Sequence, residues 1–314
     1  MRRDELIHDV CDEIVPLPAQ FHDDLTLNLA GMQSHLEFLL SHGVKNIYLA
    51  LAASEFEFMT LQERLSVVEM VGKSVDGRAR ILAQPVGGRW FDEQVEEAAA
   101  MVDLGADALV VKLMDLKEDQ KFFSSRYRKC GYISEYHDAF FIECLERIGS
   151  GSGGYIILHD KPFRSFEFLS KVVTLDCVVG IKTHEEEPWK RHEIYTRFGD
   201  DLICFDGMGK TNQLWSLLWG ARARHTCWSW FDPRTDQDFT RFVKQGEIGR
   251  AVEIVNREWP IVNAILSTGF HGYKVIMGLM GLPMGPVRAP GGIISDGEKQ
   301  MIKEALVDTG YIRE

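Results

Sequence analysis

The chain has 314 residues, 45% of them apolar and 26% charged, the composition of an ordinary folded protein, which excludes disordered, fibrous and collagen-like classes. Its 35 basic and 47 acidic side chains give a formal charge of -12, a balance that repels a phosphate backbone and argues against a nucleic-acid partner. No apolar run approaches the roughly 20 residues needed to cross a bilayer, and MRRDELIHDVCDE has no signal-peptide core, so a cytoplasmic protein without a membrane partner is expected.

Along the chain a short apolar run, a turn and a longer stretch with helical spacing of apolar residues recur about eight times. The predicted strands begin with EIVPL (13–17), NIYLAL (46–51), RILAQP (80–85) and DALVVKL (107–113). They continue with YIILH (155–159), CVVGIK (177–182), LICFD (202–206) and a weaker ARHTCWSW (223–230). Helical patterns lie between them at 29–43, 60–74 and 92–105. In the first, Leu36, Leu39 and Leu40 share a face and Gly43 supplies a stop; in the second, Thr60 and Glu63 form a T-x-x-E capping box.

Runs apolar on both faces that alternate with helices imply a parallel sheet covered by helices, and eight such units point to a (β/α)8 TIM barrel. The alternative is an open doubly wound sheet, weakened by the lack of G-x-G-x-x-G after the first strand. After about residue 250 the pattern becomes three helices without strands. We therefore expect residues 1–235 to form the barrel core and 236–314 the eighth barrel helix with a C-terminal helical appendage, in one structural unit. The stretch 114–133 is a long charged connection, a surface loop or else a lid or subunit contact. Six dispersed cysteines (Cys11, Cys130, Cys144, Cys177, Cys204 and Cys227) with no C-x-x-C pair read as reduced structural thiols.

Lys182 closes the apolar run VVGI, which in a barrel puts its amine at the C-terminal mouth, where such enzymes keep their chemistry. Partial desolvation there disfavours the charged form and frees the amine to attack a carbonyl. A strand-terminal lysine paired with one of Glu185 to Glu187 is the alternative from this stretch alone.

The pair IILHDKPFRSFEF (156–168) and CVVGIK (177–182) resembles the Y-N-x-P-x-R and V-G-I-K segments of the dihydrodipicolinate synthase and N-acetylneuraminate lyase family. ASEFEFMTLQER (53–64), GADALVV (105–111) and GLPMGPVRAPGG (281–292) are also similar, so the likeness spans nearly the whole chain. The resemblance implies a (β/α)8 barrel with three C-terminal helices, a class I aldolase or related lyase, and a 2-oxo acid such as pyruvate as the small-molecule partner. It implies no cofactor, and an assembly of at least a dimer, commonly a tetramer, with FFSSRYR (122–128) as a candidate contact.

By the same resemblance Lys182 takes the Schiff-base position and Arg164 that of an arginine receiving a substrate carboxylate, with Ala53, Ser54 and Gly207 as further substrate contacts. The family's proton-relaying tyrosine falls at His159, whose imidazole can act as acid or base. Its hydroxyl pair falls at Leu51-Ala52-Ala53-Ser54-Glu55 and is missing, which marks a divergent member. Three outcomes stay open: a lyase working through an imine at Lys182, a hydratase or dehydratase using the same imine, and a binding protein that has lost aldol chemistry. His159, Asp160, His184 and Asp206 could converge, but their spacing carries no metal signature, so no metal is expected.

Overall fold

The eight apolar runs become eight strands because burial on both faces leaves each backbone no hydrogen-bond partner except a neighbouring strand. In the computed structural model, which describes residues 2–50, 52–88, 90–113, 137–161, 163–289 and 291–313, these are β1 (Asp12–Pro16), β2 (Asn46–Leu49), β3 (Arg80–Ala83) and β4 (Ala108–Lys112), then β5 (Tyr155–Asp160), β6 (Val178–Thr183), β7 (Ile203–Asp206) and β8 (Ala223–His225). All pair in parallel in chain order, and Asp12 opposite Ala223 and Ile14 opposite His225 join the last strand to the first. The sheet is therefore a closed barrel and not an open doubly wound sheet.

Around it lie α2 (Leu29–Ser41), α3 (Leu61–Val75), α4 (Phe91–Asp103), α5 (Asp138–Ser152), α6 (Phe166–Val172), α7 (Pro188–Phe198), α8 (Lys210–Leu218) and α9 (Pro233–Lys244). A short α1 (Arg3–Asp9) precedes the barrel, and α10 (Ile248–Thr268), α11 (His271–Leu279) and α12 (Asp296–Asp308) follow it, the three C-terminal helices expected. The Thr60–Glu63 capping box forms at the start of α3 as read from its spacing, with Glu63 N donating to Thr60 Oγ1 and Thr60 N donating to Glu63 Oε2. Among the described residues no helix is long and apolar enough to cross a membrane. Cys144, Cys204 and Cys227 are buried thiols, Cys11 and Cys177 are partly so, and none of the five is in a disulfide. The FFSSRYR segment at 122–128 lies outside the described residues.

Strands β2 and β3 end two residues before their sequence patterns, and β8 falls furthest short of its own. β8 stops at His225, where the Thr226 hydroxyl accepts a hydrogen bond from Trp228 N and turns the chain into a single 3-10 turn over Trp228–Trp230. A local side-chain bond to the backbone has displaced the ladder there.

Candidate active site

Register decides what meets in the mouth. Lys112, the last residue of β4, lies opposite His159 on β5, His159 lies opposite Lys182 on β6, and Lys182 opposite Phe205 on β7. Residues directly opposite on neighbouring strands point to the same face, so these four form one inward row at the C-terminal end. The next row, Asp160, Thr183 and Asp206, points out toward the helices. Asp206 accordingly meets Arg191 of α7 at 3.4 Å and accepts a hydrogen bond from Ser216 of α8, away from His159.

The inward row opens into a cavity of about 180 Å³ lined by Lys182, His159 and other residues drawn from six of the strands or their following turns, with Phe270 from the C-terminal region. Tyr48, Gln84 and His225 line it together with Lys112, Lys161 and His184, and Ala50, Ala52, Ala53 and Phe270 add apolar surface. A larger recess of about 520 Å³ lies at the opposite, N-terminal end, lined by residues such as Asp12, Asn46, Arg241 and Lys244. Barrel chemistry belongs to the C-terminal end, and the smaller cavity there gathers Lys182, His159, His184 and His225, all four moved toward their neutral forms first by burial.

Lys182 is 5% exposed. Burial brings its amine down to about 7, and the positive charges of Lys112 and Lys161 act in the same direction. The amine lies 4.7 Å from the centre of the Tyr48 ring and 6.0 Å from that of Phe205. The Tyr48 phenol donates to Gln84 Oε1 at 2.9 Å, which fixes the ring beneath the amine.

His159 Nε2 is 2.8 Å from His184 Nδ1, so one ring donates and the other accepts. Burial, with Lys182 next in weight, holds His159 well below the usual imidazole range and takes His184 down to about 3, so both rings are neutral. His159 Nδ1 is buried with no partner among the described residues, as is His225 Nε2. Gly207 explains how His184 fits: a Cβ on that glycine would stand 2.1 Å from the His184 ring. Gly207 N meanwhile donates to Thr183 O at 2.9 Å.

The remaining residues expected at the site fall in different places. Ala53 lines the cavity. Ser54 is fully buried, and its hydroxyl donates to Tyr48 O at 3.2 Å and accepts from Ala50 N at 3.1 Å, which braces the turn after β2. Arg164 donates from Nε to Asp138 Oδ1 at 2.8 Å, stacks 4.3 Å over the Phe141 ring and is not among the residues lining the cavity. Glu55, next to Ser54, has a left-handed backbone (φ 54°) and pairs with Lys274 of α11 at 2.7 Å, which ties the C-terminal helices to the mouth.

Residues 11–112 and 160–309 match the dihydrodipicolinate synthetase family. The chain belongs to that family. An uncharacterized DapA-like lyase of Pyrobaculum islandicum is 24% identical over 300 residues, covering 91% of this chain and 94% of the relative. A probable 5-dehydro-4-deoxyglucarate dehydratase of Streptomyces avermitilis is 25% identical over 283 residues, 86% of this chain and 78% of its own length. Dihydrodipicolinate synthase from Oceanobacillus iheyensis superposes with a TM-score of 0.85 at 18% identity, over 99% of this chain and 100% of its own, a likeness of fold. The mouth of this member of the dihydrodipicolinate synthetase family holds the hydrogen-bonded pair His159 and His184, with Lys112 at the end of β4.

Proposed function

We propose that the protein is a lyase of the dihydrodipicolinate synthetase family in which Lys182 forms a Schiff base with a 2-oxo acid, for aldol condensation or cleavage. The observation that carries this reading is the buried amine of Lys182, held near 7, in the lining of a small cavity. At neutral pH a large fraction of it is unprotonated, so its lone pair attacks the oxo carbon and the resulting carbinolamine loses water to give the imine. The protonated imine then takes up the electron pair of the carbon bond that breaks, or releases it to the bond that forms.

The proton moves through the histidines. His159 shares a hydrogen bond with His184, so a proton gained at the free Nδ1 of His159 is matched by one passed from Nε2 to Nδ1 of His184. Ala53 shapes the cavity wall, Ser54 supports the turn and Gly207 leaves room for the His184 ring. Arg164 would reach a substrate carboxylate only after leaving Asp138. A dehydratase passing through the same imine is the second reading, favoured by the Streptomyces relative of that name.

Borohydride added with a reacting 2-oxo acid should fix a stable mass on the peptide containing Lys182, and Lys182→Arg should abolish it, because a guanidinium stays protonated. An adduct that persists in the variant overturns the assignment. The same reading makes the protein cytoplasmic and at least dimeric. Light scattering should then give more than the 35.7 kDa of one chain at micromolar concentration.

A further inference from the structure

Of the three histidines that line the mouth cavity, His159 and His184 share a hydrogen bond. The third, His225, closes β8 opposite Ile14 of β1. Its backbone is tied down: His225 O accepts from Gln213 Nε2 at 2.7 Å, and the next residue, Thr226, donates from N to Ile14 O at 3.1 Å. Its ring stands edge-on to that of Tyr48 with centroids 5.7 Å apart, and the same Tyr48 ring lies 4.7 Å from the Lys182 amine. His225 Nε2 is buried with no partner among the described residues. Buried polar groups are nearly always paired, so a ring nitrogen left over in the wall of a cavity marks a place for a group that arrives with the ligand. We infer that His225 is a catalytic residue that carries protons between the Lys182 nitrogen and the oxo oxygen while the imine forms. This rests on the imine reading above and adds to it a second proton path, separate from the His159–His184 pair.

Strand order puts the two paths on either side of the nucleophile. His159 is on β5, directly beside Lys182 on β6, whereas His225 is on β8, beyond β7. After burial, Lys182 is the leading charge acting on each of the two rings, so both stand within its field. The proton count fixes what a group in that place must do. From its ammonium form Lys182 brings three protons; one stays on the imine nitrogen and two leave with the oxo oxygen as water. His225 takes the first, which frees the lone pair to form the C–N bond, and returns it to the oxygen that has received the electrons of the carbonyl π bond. It then takes the second from the carbinolamine nitrogen and delivers it to the hydroxyl, as the C–O bond breaks and the nitrogen lone pair closes the C=N bond. The ring ends neutral, as it began, and burial opposes its keeping either proton.

The test isolates this step. Each cycle of imine formation and hydrolysis exchanges the oxo oxygen with water, so loss of a heavy-oxygen label from the carbonyl of pyruvate, above the protein-free rate, reads it without any carbon-bond chemistry. Exchange is measured at saturating pyruvate, together with the half-saturating concentration for adduct trapped by borohydride after equilibration, in the parent, His225→Asn, His225→Gln and His159→Phe. Asn and Gln keep a polar atom near one or the other ring nitrogen and fill no more space, but neither carries a proton. In both, saturated exchange should fall by roughly 10² or more, the effect of losing a general acid or base. The half-saturating concentration should stay at the parent value, because a proton carrier changes rates and not the position of an equilibrium. A higher half-saturating concentration with saturated exchange at the parent rate would make His225 packing for Tyr48 and overturn the assignment. His159→Phe should exchange faster than either His225 variant; an equal or greater loss there gives the step to His159 and overturns it too. Neither exchange nor adduct in the parent sinks the imine reading itself, whereas an adduct in the parent with unimpaired exchange in the His225 variants sinks the role of His225 alone.

Discussion

Lys182 and Asp160 are both buried at strand ends, and each has its charged form disfavoured for the same reason, yet one faces a cavity and the other the helix layer. For Lys182 the acid limb of activity should follow the amine alone, because burial holds His159 well below the usual imidazole range and takes His184 down to about 3. Adduct formation should therefore rise as pH passes through about 7, and Lys161→Met should move that rise to higher pH by removing a like charge. A limb that stays in place in the variant contradicts the electrostatic account. His159→Phe should still form the imine but slow turnover by roughly 10² to 10⁴, the usual range for a general acid or base. His184→Phe should slow it too if the two rings act together, and turnover at the parent rate in both would make them filler. Asp160 is 2% exposed, neither carboxylate oxygen has a partner among the described residues, and burial first, then Glu185, raises it to about 7 against the opposing charges of Lys190 and Arg164. Its raised value means that the folded state binds the proton more tightly than the unfolded one. The stability this gives is complete below about pH 4 and is lost as pH rises through about 7. Asp160→Asn should accordingly change Tm little at pH 4 and raise it at pH 8, at ~1.4 kcal/mol for each pH unit between the two values. Parallel Tm curves across that range would refute this. Lys182 and His159 were legible because a charged or polar residue closes an apolar run; Lys112, which also lines the cavity, carries the same signal in VVKL. Tyr48 was not legible, since within the wholly buried NIYL nothing separates an inward aromatic from core.

At the scale of elements, α3 and α4 are joined by a buried fork. Arg64 donates from Nε to Glu97 Oε1 at 2.6 Å and from an Nη to Oε2 at 2.9 Å, and its other Nη donates to Met59 O at 2.7 Å. Glu97 also accepts from Gly87 N, so the pair holds the chain leaving β3 as well as the two helices. Removing one partner strands the other charge, and Glu97→Gln should cost about 3 to 5 kcal/mol, whereas replacing both by Met and Leu should cost less than the sum of the single changes. Additive losses in a denaturant-melt cycle would show that the two groups do not stabilise one another. The strands were readable because β-branched and apolar runs buried on both faces have one packing solution, and α3 because its cap is spelled in four residues. α1 was not, since seven residues give too few turns for a period to emerge. Nor was the turn after β8, where a single threonine hydroxyl decides against the strand that the aromatic run suggests.

Across the whole molecule the first strand and the last helices are bound by one buried ionic network. Arg224 of β8 reaches Glu13 of β1 at 3.2 Å and Asp236 of α9 at 2.7 Å, Asp236 meets Lys210 of α8 at 3.1 Å, and Lys210 meets Glu258 of α10 at 2.8 Å. Burial alone would raise the Asp236 carboxyl, but Arg224 and then Lys210 override it and leave the group well below the usual carboxylate range. Two further ties reach the rim from the C-terminal region: Lys274 to Glu55, and Arg288 to Glu63 at 2.8 Å and to Leu25 O. A barrel closed by its own first and last strands has no edge at which to fray, and α10 cannot leave without separating the buried Glu258 from Lys210. The C-terminal helices should therefore melt with the barrel. Scanning calorimetry is expected to give one transition, and Asp236→Asn should move it down by several degrees as Arg224 and Lys210 lose their shared partner. Because the network spans both parts, the variant's transition should stay single. A low-temperature shoulder that vanishes when residues after α9 are removed would show instead that the appendage unfolds separately.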